Sequence, residues 1–410
     1  MDNITHTLIG VLVGETAARL ASAAQSRISQ EERRKLFVGV MAVGSNLPDL
    51  DFLYSFFTGN KLDYLLQHRG YTHTIAGAAL MALLMFAACE IWLRHRGVTP
   101  TRSDRIWLGS IALLAPLLHI AMDFTNSYGV HPFWPFYNGW LYGDSVFIVE
   151  PLFWAAAAPL LFISRTLLAR TLVGLVLAAG IVLSFGAGVV PTSLALALVL
   201  LTSVMLALGR YAPARTALLV AIGVWLGCTT MFAVAGRAAA KEIAAIAQRD
   251  FASEHTLDRV LTPTPANPLC WEVILVQSRH AHYVLRRGLF SLAPQWIPAD
   301  RCPSRDLQAA ITAPLTTTQA ANSLSMQWRG EALMSKDQLQ QLAATYCQAA
   351  DLLRFARAPF FVQHGAGWIL GDLRYDREDG LGFSEIQLGE RDRCPSFVPG
   401  WQPPRIDLLN

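Results

Sequence analysis

The sequence predicts an α-helical polytopic membrane bundle of about eight helices followed by a soluble α+β extracytoplasmic domain. Three observations carry this. Hydrophobic residues make up 53% of the 410 and charged residues only 15%, against a usual ~25% charged in soluble domains. Mean hydropathy is +0.35. Apolar runs near the ~20 residues that cross a hydrocarbon core recur over the first 240 positions and then stop.

The runs follow in order. Residues 3–24 have a helical pattern with Glu15 inside it. A carboxylate at membrane depth is costly, so this helix should pack within the bundle. Residues 36–47 are apolar but short, and Pro48 ends them. Clearer spans are expected at 74–93, 106–125, 146–164, 171–190, 193–209 and 215–236. This membrane domain is assigned to residues 1–240. Residues 241–410 are polar, rich in Pro and Arg, and carry alternating strand-like runs at Trp271–Gln277, His282–Arg286 and Gly367–Leu373.

Charge sets an expected orientation. The connections at 19–35, 94–105, 165–170 and 210–215 hold 13 Lys and Arg, while 48–73, 126–145 and 190–192 hold only Lys61 and Arg69. Positive residues mark the cytoplasmic side. The outer helix ends and the C-terminal domain should then face away from the cytoplasm. Cys270, Cys302, Cys347 and Cys394 all fall in that domain, where two disulfides fit. Three pairings are open. Zinc is the rival use, but no CxxC spacing occurs. Cys89 and Cys228 sit in apolar helices as inert residues. No basic n-region of a cleavable signal is evident. The net charge of +3 gives no reason to expect nucleic acid as a partner.

On this topology, separated segments deliver metal-capable side chains to one membrane face. These are His6, Asp49, Asp51, His68, His73, His119 and Asp123. His119 and Asp123 are four apart and share a helical face. Asp49 and Asp51 flank Leu50, and in an extended turn both can reach one side. His plus Asp suits Zn²⁺, Mn²⁺ or Fe, as one ion or a pair. Such a centre would activate a water for attack on an ester or phosphoester. His68 and His73 are candidate general bases if they are not ligands, and Arg69 could hold developing anionic charge. Asn46, Thr72, Asn126 and His131 are candidates for orienting the ligands. Glu15 reads equally as a buried structural partner or as a ligand, and Glu150, just before Pro151, as a structural cap rather than a group lining the site. The aromatic segment His131–Tyr142 reads as an interfacial belt or a lid. His280, His282 and His364 read as ordinary domain residues.

The stretches MDNITHTLIGVLVGE, NLPDLDF, HRGYTHT and HIAMDFTNSYG resemble the YdjM-like inner-membrane metal-dependent hydrolases, over about residues 1–190. The resemblance implies a multi-pass bacterial inner-membrane protein facing the periplasm with its site. It also implies a zinc-type, phospholipase C-like hydrolase, with the seven residues above as its metal-site positions. A lipid or lipid-linked substrate is the expected partner besides the bilayer. The alternative is a metal-binding or transport protein without hydrolysis. A third reading makes the C-terminal domain the working part, binding an envelope partner.

Overall fold

In a computed structural model, residues 1–21, 26–186, 188–303, 311–389, 394–395 and 397–409 are described. The helices are α1 (Asn3–Leu20), α2 (Gln30–Gly44), α3 (Phe52–Thr58), α4 (Lys61–Gln67), α5 (Ile75–His95), α6 (Arg102–Phe124), α7 (Pro151–Ala156), α8 (Leu160–Ile163), α9 (Leu167–Gly186), α10 (Thr192–Tyr211), α11 (Ala214–Asp250), α12 (Lys336–Thr345) and α13 (Cys347–Leu352). The strands are β1 (His255–Thr264), β2 (Asn267–Arg279), β3 (His282–Ser291), β4 (Met326–Ser335), β5 (Pro359–His364), β6 (Gly367–Asp372) and β7 (Ile386–Leu388). A helical N-terminal region followed by a β-sheet domain is the expected fold class. Among the described residues, α5, α6, α9, α10 and α11 are each long and apolar enough to cross a membrane. A sixth span is added if α2 and Pro48–Thr58 make one broken span.

The chain forms two compact units. The first holds Met1–Leu50, Tyr71–Trp134 and Val146–Phe232. The second holds Asp51–Gly70, Pro135–Ser145 and Ala233–Asn410.

In the first unit, α1 starts where the Asp2 carboxylate accepts from the Thr5 amide at 2.9 Å. Thr101 and Asp104 close a capping box at the start of α6. Helices α1 and α2 come close because Gly10 and Gly14 lie on their interface. A Cβ on Gly10 would sit 2.7 Å from the Met41 carbonyl oxygen, and one on Gly14 2.9 Å from the Phe37 oxygen. Small residues four apart permit this approach. Glu15, buried, pairs with both Arg19 and Arg34 and so braces the same helices.

The expected span at 146–164 is instead two short helices. Pro151 opens α7, its start capped by Glu150, and Pro159 interrupts before α8. Proline lacks the N–H that would continue the ladder, and its ring clashes with the preceding turn. Helix α10 packs onto the break through Gly209, where a Cβ would lie 2.6 Å from the Pro159 Cα.

In the second unit, β1–β4 form an antiparallel sheet in sequence order, and β5–β7 form a smaller one. The end of α11 lays Ala239, Ile243 and Ile246 against Leu261, Trp271 and Leu275 of the larger sheet. Disulfides join Cys270 to Cys302 and Cys347 to Cys394. Cys89 and Cys228 are free thiols. Arg357 is held by Asp144 at 2.8 Å and Asp258 at 2.7 Å, and tethers the 135–145 segment to β1.

Candidate metal centre

Four side chains of the first unit converge. Asp49 rides on the 3-10 turn Pro48–Asp51, where Pro48 stops the preceding apolar helix. His73 ends the 3-10 turn Tyr71–His73, and Thr74 then caps α5 by accepting from the Gly77 amide. His119 and Asp123 stand one turn apart at the end of α6. All four are buried.

Their donor atoms make a compact set. His73 Nε2 and His119 Nε2 are 3.0 Å apart. His73 Nε2 lies 3.4 Å from Asp49 Oδ1 and 3.3 Å from Asp123 Oδ2. His119 Nε2 lies 3.3 Å from each of the same two oxygens. Ligands at a tetrahedral zinc radius of ~2.05 Å stand about 3.3 Å apart. These five separations of 3.0–3.4 Å match five of the six edges of such a tetrahedron, and the four donor atoms all lie within 4.8 Å of one another. This buried Asp/His cluster could hold a metal ion.

The groups behind the donors fix their direction. His119 Nδ1 donates to the Ser45 carbonyl at 2.7 Å, and Thr72 Oγ1 lies 3.1 Å from His73 Nδ1. Partners on the rear nitrogen set the tautomer and aim Nε2 at the centre. His6 stands one step further out. Its Nε2 is 3.2 Å from Asp123 Oδ1, its ring stacks on His119 at 3.8 Å, and its buried Nδ1 has no hydrogen-bond partner among the described residues. The Met1 amino group also pairs with Asp123 Oδ1.

Asp51, His68 and Arg69 belong to the second unit. There Asp51 Oδ1 meets His68 Nδ1 at 2.9 Å, and Asp51 Oδ2 accepts from the Arg69 amide at 2.9 Å. Arg69 has φ +61° and a buried side chain. A left-handed non-glycine residue is held there at some cost in strain. The Asp51 carboxylate therefore fixes the orientation of the His68 ring from its Nδ1 side.

The remaining sequence candidates sort themselves by contact. Asn46 bonds Thr7 and the Ala42 carbonyl, and Asn126 accepts from the Tyr128 amide. His131 is fully buried. The Ser45 carbonyl was not foreseen, because a backbone acceptor leaves no mark in the residue types.

The YdjM inner membrane protein family model matches residues 1–195. The resemblance carried by the four N-terminal motifs therefore holds over that stretch. The uncharacterized protein YfhP of Bacillus subtilis (strain 168) is 27% identical over 141 residues, covering 34% of this chain and 39% of that protein. The chain thus matches well under half the length of that relative. No solved structure matches the chain.

Proposed function

We propose that this membrane protein is a metal-dependent hydrolase acting on an ester or phosphoester of a lipid or lipid-linked substrate. Asp49, His73, His119 and Asp123 are its ion ligands. The single observation behind this is the tetrahedral spacing of their donor atoms. Two imidazoles and two carboxylates suit Zn²⁺. When bound, the ion would supply Lewis acidity and lower the pKa of a coordinated water.

The residues supply the rest. Asp51 orients His68, the candidate general base. Arg69 supplies a fixed cation for anionic charge. The bias of Lys and Arg toward one set of connections supports a site and C-terminal domain on the periplasmic side of the inner membrane.

A second reading has one observation in its favour. Four protein donors around one centre is the number found in closed sites rather than in catalytic ones with an open position. The chain would then bind or move a metal without hydrolysis.

One experiment separates the two. The purified full chain is assayed for bound metal and for turnover of labelled phospholipids and phosphoesters, with and without chelator. Turnover that needs the metal, and that His68→Ala abolishes without loss of the metal, supports the hydrolase. A stoichiometric ion with no turnover across the panel leaves the second reading.

A further inference from the structure

Helix α3, sequence FLYSFFT, buries none of its residues within the protein. Phe56 and Phe57 are 73% and 80% exposed. Water does not tolerate such a helix without cover. Together with α2, the Pro48–Thr58 segment is long and apolar enough to make a broken span or a re-entrant loop, a composition suited to hydrocarbon. Between α3 and α4 lies an open cleft of about 330 Å³, lined by Phe52, Ser55, Phe56, Gly59, Lys61 and Tyr64. That volume falls at the lower end of the ~300–1,000 Å³ of small-molecule sites.

Two features give the cleft a direction. At its rim, Lys61 Nζ donates to the carbonyl oxygens of Gly382 at 2.6 Å and Glu385 at 3.0 Å. These acceptors are neutral and use two of its three donors. Along its wall, the Tyr64 ring stacks on His68 at 4.8 Å, and His68 is the residue bonded to Asp51. The cleft therefore has an aromatic floor, a cation at its edge, and the base–carboxylate pair beside it.

We infer that the α3/α4 cleft is a binding site for an anionic phospholipid, with an acyl chain between Phe52, Phe56 and Tyr64 and the headgroup charge on Lys61. Charge complementarity at Lys61 and continuity of α3 with the bilayer single out this occupant over a second copy of the chain. The inference rests on the hydrolase reading only for what the lipid is bound for. Its test reads binding, so either can fail alone.

The full chain is reconstituted in vesicles containing a phospholipid with a diazirine in its acyl chain. One preparation uses an anionic phosphatidylglycerol probe and the other a zwitterionic phosphatidylcholine probe. After illumination, adducts are mapped by mass spectrometry. Leu83 and Leu84 of α5, each 62% exposed, serve as the reference for ordinary lipid contact. The wild type should label the cleft about fivefold more with the anionic probe after normalisation, the value of one lysine near a headgroup. Lys61→Gln should bring that ratio to about one, and Phe56→Ser should reduce cleft labelling with both probes. Phe56 is exposed, so this second variant keeps the fold. Equal labelling by both probes in the wild type, or labelling that neither substitution changes, overturns the inference. So does an unlabelled cleft beside a labelled α5.

Discussion

His119 Nδ1 donates to the Ser45 carbonyl oxygen at 2.7 Å. The acceptor is a carbonyl, so a proton must sit on Nδ1, and in the neutral ring the lone pair is then on Nε2. That one bond ties the end of α6 to the residue that closes α2, and it turns the imidazole toward Asp49, Asp123 and His73. The centre is thus built by helix ends, with a backbone group deciding the protonation of a side chain.

Removing a donor should remove the ion. His119→Ala and Asp123→Asn should each weaken metal affinity by more than the 10–100-fold typical of an outer partner. Elemental analysis after dialysis against a graded chelator measures it. His6→Ala, one step out, should weaken affinity by only about 10–100-fold. Equal losses for His6 and His119 would place His6 among the ligands.

The brace between α1 and α2 carries a second prediction. Glu15 is buried and serves both Arg19 and Arg34. Glu15→Ala leaves two cations without their partner and should cost about 3–5 kcal/mol. Thermal unfolding in detergent should show a lower midpoint with unchanged helix content before the transition. A midpoint within error of the wild type would mean that the arginines find water or lipid headgroups instead.

Close approach gives a third. A Cβ on Gly14 would lie 2.9 Å from both the Phe37 oxygen and the Val38 Cα, which are backbone and cannot step aside. Gly14→Ala should cost about 1–3 kcal/mol from overpacking, and Gly14→Leu more. Gly39, inside α2, has nothing within 4 Å of an added Cβ among the described residues, so Gly39→Ala serves as the control and should stabilise by up to about 1 kcal/mol.

The C-terminal domain should respond to pH through Glu385. Burial first, and the Asp376 carboxylate second, push its pKa up from 4.5 to about 7. The folded state therefore holds its proton more tightly than the unfolded chain. Its contribution to stability is fully present below about pH 4.5 and is lost as pH rises through about 7. Between those values the slope from this group is at most about 1.4 kcal/mol per pH unit. Asp376 is also pushed up by burial, so it adds to the same trend. Thermal melts of Glu385→Gln across this window should be flatter than those of the wild type. Parallel curves would contradict the assignment.

The sequence carried the membrane bundle because composition and run length report burial in lipid directly. It carried the four converging side chains because His119 and Asp123 share a helical period and Asp49 and His73 sit at helix breaks marked by Pro48 and Thr74. It did not separate these four from His6, Asp51 and His68. All seven are imidazoles or carboxylates near helix ends, so residue type and spacing give no ground for choosing among them. The expected span at 146–164 failed at Pro159, where local backbone chemistry outweighed hydropathy. The Gly10–Gly14 contact was written in the spacing but needs a partner helix to gain meaning. The Ser45 carbonyl could not be read at all.

X-ray absorption at the metal edge of the zinc-loaded full chain reads the ligand set itself. One ion with four nitrogen or oxygen ligands at ~2.0–2.1 Å and outer scattering from two imidazoles is the expected result. A six-coordinate ion without imidazole scattering, or a chain that binds no ion with His73 and His119 intact, would contradict it.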